Sequence, residues 1–144
     1  MPDSEEQRRL AAQQRDQGLL SPGDPDYDKK LTELWGGPPI TWYDEAIAKM
    51  AADFRYPDVA KRKVALVTGG GGGIGFYVVK GLARLGFDVL VPVRPGMEAD
   101  AQAAAEAASK VAAPGARVSV PAAALDLSSL ASVRNFGAAM RQTM

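Results

Sequence analysis

The chain has 144 residues, and 17 Lys+Arg balance 17 Asp+Glu, so its formal net charge at pH 7 is zero. That length bounds it to about one domain, and without a basic surplus there is no electrostatic reason to expect nucleic acid as a partner. The sequence contains neither Cys nor His, which excludes disulfides, thiolate nucleophiles, a Ser-His-Asp triad and the usual zinc ligands. We therefore expect no metal site.

No apolar run approaches the roughly 18 residues of a membrane span. The opening residues, MPDSEEQRRL, lack the apolar stretch of a signal peptide. The sequence therefore predicts an intracellular, cytoplasmic protein without a transmembrane segment, and it leaves association with a lipid surface open.

Residues 1–55 are polar and proline-rich and predict an extension with one or two helices. A thin apolar pattern predicts the first helix over residues 4–20, and Pro and Gly predict turns at 21–26 and 36–39. A stronger helix, capped by Thr41, is predicted over residues 40–54, where apolar side chains recur at helical spacing. These are Tyr43, Ile47, Met50, Ala51 and Phe54.

Residues 56–144 alternate short apolar runs with helical patterns. The runs at 64–67, 89–93 and 117–125 predict strands, the first buried on both faces. Helices are predicted after the glycines near residue 73, over 98–113, and after a cap at Ser128 or Ser129. The first of these helices is expected to bury a stripe of Ile74, Val78, Val79, Leu82 and Leu85 and to end at Gly86. The β-α-β-α-β-α order predicts an α/β domain with a parallel sheet and right-handed crossovers.

Five consecutive glycines, Gly69 to Gly73, separate the first strand from its helix. A glycine-rich turn at this place lets the backbone approach a phosphate, which the free amides of the helix N-terminus then bind. An ATP-binding P-loop is a poor match, because Phe76 stands where that motif has Lys. The alternative is a flexible turn without a ligand.

Two charged residues follow the next two strands. Arg94 stands where a dinucleotide site has an acid for the ribose of NAD or an Arg for the 2′-phosphate of NADP, and no acid occurs between Val89 and Gly96. We therefore expect NADP(H) to be favoured over NAD(H), with a solvated Arg as the alternative. Asp126 follows the third strand, where its carboxylate could accept from the adenine amino group or could instead cap a helix.

Three features together resemble the short-chain dehydrogenase/reductase family. Thr68-Gly69-x-x-x-Gly73-Ile74-Gly75 matches its TGxxxGIG motif, and Asp126-Leu127-Ser128-Ser129 with the following Ser-Val-Arg resembles its retinol-dehydrogenase-like branch. The resemblance covers residues 56–144 and implies a Rossmann-like fold, a partial doubly wound sheet of three βα units. It implies hydride transfer between NADP(H) and an alcohol or carbonyl, such as a retinoid. The residues expected to bind the cofactor are Gly69, Gly71, Gly72, Gly73, Ile74, Gly75, Arg94, Asp126 and Leu127.

The sequence departs from the family in three places. The catalytic Ser and Tyr-x-x-x-Lys of the family have no counterpart, so no catalytic residue is assigned. We expect the chain to be an inactive N-terminal piece of a longer oxidoreductase, a homo-oligomer if complete, whose small-molecule substrate the sequence does not identify. The alternative is a non-catalytic dinucleotide-binding or regulatory module. Pro92 removes an N–H from an expected central strand, and Gly70, Gly71 and Gly72 replace the side chains that pin the loop in relatives.

Overall fold

The computed structural model describes residues 22–35, 41–54 and 58–143. The helix predicted over residues 4–20 and the break predicted at 36–39 lie outside the described residues. The turn predicted at 21–26 is present from residue 22 onward. Two helices precede the sheet: α1 (Tyr27–Trp35) and α2 (Thr41–Asp53).

Three strand-helix units follow a 3₁₀ turn at Val59–Lys61. Their bounds are β1 (Val64–Leu66), α3 (Gly73–Arg84), β2 (Asp88–Leu90), α4 (Glu98–Ser109), β3 (Val118–Ser119) and α5 (Leu130–Thr143). The strands are parallel and lie in the order β1-β2-β3. The prediction of an α/β, Rossmann-like parallel sheet built from three βα units is confirmed.

One face of the sheet carries the hydrophobic core. Because side chains alternate along a strand, the register places Ala65, Val89 and Val118 on the same face. Val89 is 1 % exposed, and it packs in one cluster with Val79 of α3 and with the small side chains of α4. The buried residues of α4 are Ala101, Ala104, Ala105 and Ala108, a stripe at helical spacing. Alanine lets the helix approach the sheet closely, which accounts for its frequency in this segment.

The other face of the sheet is partly open. It carries Val64 and Leu66, which are 48 % and 45 % exposed. Across it lies a groove of about 670 Å³, bounded on the far side by Ala139, Met140 and other residues of α5. The prediction that the first strand is buried on both faces is therefore wrong, because α3 and α4 both pack on the Ala65 face.

Helix α3 buries only part of the predicted stripe: Val79 and Leu85 are buried and Leu82 packs against the core. Val79 is fully buried, but Ile74 is 74 % exposed and Val78 is 44 % exposed. The helix also packs through Phe76 and Ala83, which lie three residues before and four residues after Val79 on a neighbouring face. Gly86 follows the helix with a φ of 92°, as the predicted glycine end requires.

The N-terminal helices pack against α3. Tyr27 and Leu31 of α1 are 4 % and 6 % exposed, although the sequence analysis predicted no helix at residues 27–35. Helix α2 confirms the prediction over residues 40–54, but it begins at Thr41 itself, and two of its five predicted apolar contacts, Met50 and Phe54, are more than half exposed. Most of the stability of such short helices comes from tertiary packing rather than from propensity.

Helix α2 meets α3 at Gly81. The Tyr43 hydroxyl donates to the Tyr77 carbonyl oxygen, and the Asp44 carboxylate accepts from the Arg84 guanidinium at 2.5 Å. A Cβ on Gly81 would lie 2.5 Å from the Tyr43 hydroxyl oxygen and 3.3 Å from Ile47 Cδ1. The glycine is therefore required by the close approach of the two helices.

Substituting two helical glycines tests this contact. In α5 a Cβ on Gly137 would meet no atom of residues 22–35, 41–54 and 58–143 within 4 Å, so Gly137→Ala should raise the free energy of unfolding by about 0.5–1 kcal/mol. Gly81→Ala should lose that gain, because the methyl group displaces Tyr43, and should reduce amide protection of residues 41–53. Urea unfolding and hydrogen exchange measure both effects. Equal stabilisation by the two substitutions would contradict the described contact.

Candidate functional site

The three segments that follow the strands lie side by side at one edge of the sheet. Beyond β1 the Val67 amide donates to the Leu90 carbonyl at 2.9 Å, and beyond β2 the Val91 amide donates to the Ser119 carbonyl at 2.9 Å. The Leu125 amide then donates to the Val93 carbonyl at 2.8 Å. These bonds bring the glycine loop, the residues before Arg94 and the residues before Asp126 to the carboxyl edge, where open α/β sheets bind ligands.

The glycine loop turns sharply onto α3. Gly69 and Gly73 have φ values of 70° and 55°, which residues with a side chain rarely adopt. A Cβ on Gly75 would collide with the Gly69 carbonyl, and one on Gly70 would lie 2.8 Å from Val79 Cγ2 and 2.9 Å from Val91 Cγ1. Four of the glycines are thus required by backbone conformation or close approach.

Gly71 and Gly72 are less constrained. A Cβ on Gly71 would make ordinary contacts, the nearest at 3.6 Å from the Ala101 amide nitrogen, and one on Gly72 would meet no atom of the described residues within 4 Å. Gly72 has an extended backbone that any residue adopts. Packing among the described residues therefore does not account for these two glycines, and their role stays a prediction.

The N-terminus of α3 presents backbone amides at this edge. The Gly73 amide donates to the Tyr27 hydroxyl at 3.1 Å, and the Phe76 amide donates to the Gly72 carbonyl at 3.3 Å. No acceptor among residues 22–35, 41–54 and 58–143 takes a hydrogen bond from the amides of Ile74 and Gly75. Two free amides at the positive end of a helix dipole suit an anionic group.

Arg94 lies in the loop that joins β2 to α4 and is exposed. Its carbonyl accepts from the Met97 amide at 3.2 Å, and Gly96 turns with a φ of 87°. The nearest acid in sequence, Glu98, accepts from the Gly96 amide at 3.1 Å. Hydrogen bonds from its own backbone amide and from the Gly96 amide lower the pKa of the Glu98 carboxyl. Arg94 thus follows a buried strand, with its side chain at the rim.

Asp126 forms a turn before α5. Its Oδ1 accepts from the Ser128 amide at 2.9 Å and from the Ser128 hydroxyl at 2.6 Å. Ser129, one of the two predicted caps, accepts from the Ser132 amide at 3.2 Å, as an N-cap residue does. Ser129 therefore caps α5, and Asp126 stabilises the turn that precedes the helix. Leu127 is 63 % exposed beside them.

A family model described as short chain dehydrogenase matches residues 63–144. The chain belongs to the short-chain dehydrogenase family. Members of this family are oxidoreductases that generally bind NAD(P), and the matched residues contain the whole sheet, the glycine loop and the segments of Arg94 and Asp126. No curated protein matches the chain.

Tyr27, which the sequence did not single out, also contacts the glycine loop of this candidate site. Its hydroxyl reaches the glycine loop from 46 residues away in the chain. The i, i+4 pair of Tyr27 and Leu31 was the available signal for α1, but two apolar residues do not show where a short helix docks. Among the helices in the described residues, none has the length and apolarity that a membrane span needs.

Two loop glycines provide a matched test of the geometry. Gly75→Ala should lower the free energy of unfolding by about 1–3 kcal/mol, because its methyl group must push Gly69 away. Gly72→Ala should leave stability within about 0.5 kcal/mol. Thermal and urea unfolding of the two variants measure the difference, and equal stabilities would show that the loop does not lie against α3.

Proposed function

We propose that this chain is the cofactor-binding half of an oxidoreductase that transfers hydride between NADP(H) and an alcohol or carbonyl. The observation that carries the proposal is the glycine loop, whose sharp turn leaves the amides of Ile74 and Gly75 without acceptors among the described residues. The cofactor would supply the hydride chemistry, and this chain would bind and orient it.

The pyrophosphate is assigned to the loop and the start of α3. Its negative charge would be stabilised by the roughly half positive charge of the helix N-terminus and by hydrogen bonds from Ile74 and Gly75. Gly69 and Gly73 allow the turn. Gly71 and Gly72 would leave room for the phosphate oxygens, which would explain why glycine stands at two positions where the described contacts do not require it.

Arg94 and Asp126 are assigned to the adenosine end. Arg94 is exposed at the rim, and its planar guanidinium can hold a 2′-phosphate with two parallel hydrogen bonds. Asp126 with Leu127 would lie along the adenine. The Leu125–Val93 hydrogen bond supports a shared site, because it joins the backbone next to each of the two charged residues.

The substrate is proposed at a coarser level. The Asp126–Ser129 segment and the following Ser-Val-Arg favour the retinol-dehydrogenase-like branch, and hence a lipid-like alcohol or carbonyl. The 144 residues contain no Tyr-x-x-x-Lys, so the function proposed for this chain itself is cofactor binding. A non-catalytic dinucleotide-binding module would use the same residues, and that second function is favoured by the same loop geometry.

Calorimetric titration with NADP⁺ and NAD⁺ tests the proposal. We expect both to bind and NADP⁺ to bind about tenfold more tightly, the size of one charge-assisted hydrogen-bonding contact. The apparent melting temperature should rise with ligand concentration. If neither dinucleotide binds, the proposal is overturned. Tighter binding of NAD⁺ than of NADP⁺ would overturn its NADP part.

Neutralising Arg94 tests the 2′-phosphate assignment. Arg94→Gln should weaken NADP⁺ binding about tenfold or more and change NAD⁺ binding by less than about threefold. Arg117→Gln is a matched control, because Arg117 is also exposed but precedes β3, at the opposite end of the parallel strands. It removes the same charge and should alter neither affinity. Equal losses for both dinucleotides in Arg94→Gln would refute the assignment.

A further inference from the structure

Tyr27 of the N-terminal extension contacts the glycine loop directly. Its hydroxyl accepts a hydrogen bond from the Gly73 amide at 3.1 Å. Gly73 is the first residue of α3, next to the two amides assigned to the pyrophosphate. The extension and the loop are therefore joined at the residue where the loop becomes a helix.

The ring of Tyr27 is held on several sides. It meets Phe76 edge-on, with ring centroids 5.5 Å apart, and stacks on Tyr77 at 6.3 Å. The Tyr77 hydroxyl in turn donates to the Asp28 carboxylate, next to Tyr27 in α1. Only 4 % of Tyr27 is exposed, so the position of its hydroxyl is determined by packing rather than by the loop.

The loop needs such a contact, because it has no side chains of its own to hold it. Residues 69–73 are all glycine, and glycine loses more backbone entropy on ordering than any other residue. The N-cap of α3 is Gly72, which makes no side-chain cap hydrogen bond. The Tyr27 hydroxyl satisfies a first-turn amide of α3 from a separate element, as a capping side chain does within a helix.

We propose that Tyr27 is a positioning residue of the cofactor site, and that its hydrogen bond to Gly73 holds the glycine loop in the form that accepts the dinucleotide. This inference rests on the proposed function and extends the site to residues outside the matched family segment. Tyr27 touches the loop and acts through it, without contact to the reacting atoms.

The contact geometry favours a supporting role over a blocking one. Tyr27 reaches Gly73 from the packed side of α3, where Phe76 and Tyr77 lie, whereas Ile74 on the same turn is 74 % exposed. A ligand that approaches the amides of Ile74 and Gly75 from the open side would not displace the ring. Burial also raises the pKa of the Tyr27 hydroxyl, so it stays protonated at neutral pH and adds no charge beside the phosphates.

The chain offers a matched control in Tyr43. Its hydroxyl also joins the extension to α3, by donating to the Tyr77 carbonyl, and its ring packs edge-on to Tyr77. Its described hydrogen bond and ring contact are both to Tyr77, outside the glycine loop. Tyr27→Phe and Tyr43→Phe therefore remove the same atom from the same interface, and they differ in whether a loop contact is lost.

The experiment compares both variants with the unaltered 144-residue chain by titration with NADP⁺ and by amide hydrogen exchange. Tyr27→Phe should weaken NADP⁺ binding about threefold to tenfold, the size of one neutral hydrogen bond. It should also reduce protection of the Gly73 amide in the ligand-free chain. Tyr43→Phe should lower the melting temperature but leave both readouts at their original values, because it leaves the loop contact intact.

Each other outcome is decisive. Unchanged affinity in Tyr27→Phe, with binding by the unaltered chain, would overturn the positioning role and leave the proposed function in place. Tighter binding would overturn it in favour of a blocking role. Equal weakening of NADP⁺ binding in both variants would overturn the positioning role, because Tyr27 would then only stabilise the interface between the extension and α3. If the unaltered chain binds neither NADP⁺ nor NAD⁺, the proposed function fails, and this inference fails with it.

Discussion

The architecture depends on how closely the glycine loop approaches α3. Within a few residues of β1 the chain must reverse so that Val79 can reach Val91 in the core, and a Cβ on Gly70 would lie between those two side chains. The backbone of Gly75 rests against the Gly69 carbonyl for the same reason. Tight packing of this kind tolerates no added methyl group without strain. The glycines therefore allow α3 to pack on the sheet whether or not a ligand is bound.

A loop made of glycines can pack this closely on α3, but it needs another element to stabilise its conformation. A loop without side chains cannot cap the helix that follows it, and ordering it costs backbone entropy. In this chain the first amide of α3 finds its acceptor in Tyr27, and the extension is anchored to α3 a second time through Asp44 and Arg84. Fold and site are therefore coupled through α3, because the helix that presents the amides is also the surface on which the extension docks.

Local patterns predicted most of the fold and fewer of its contacts. The βα order, the glycine turn, Gly86 and the Ser129 cap each follow from neighbouring residues, and the structure has them. Which side of α3 and β1 faces the core depends on elements distant in sequence, so Ile74 and Leu66 were misassigned. Helix α1 was missed because its stability comes from the rings of α3 rather than from its own pattern.

Pro92 shows how a residue that looks unfavourable in sequence fits the site. Along β2 and its continuation, backbone groups alternate between neighbours: Leu90 bonds to Val67 on the β1 side, and Val91 bonds to Ser119 on the β3 side. The nitrogen of Pro92 therefore faces the β1 side, opposite Val67, which directly precedes the glycine loop. Its missing N–H removes the donor that the parallel pattern would place against the Val67 carbonyl, so the β1–β2 ladder ends there. The proline instead lies between a buried strand and an exposed Arg94, so β2 can end at the rim where the glycine loop and the Asp126 turn also lie.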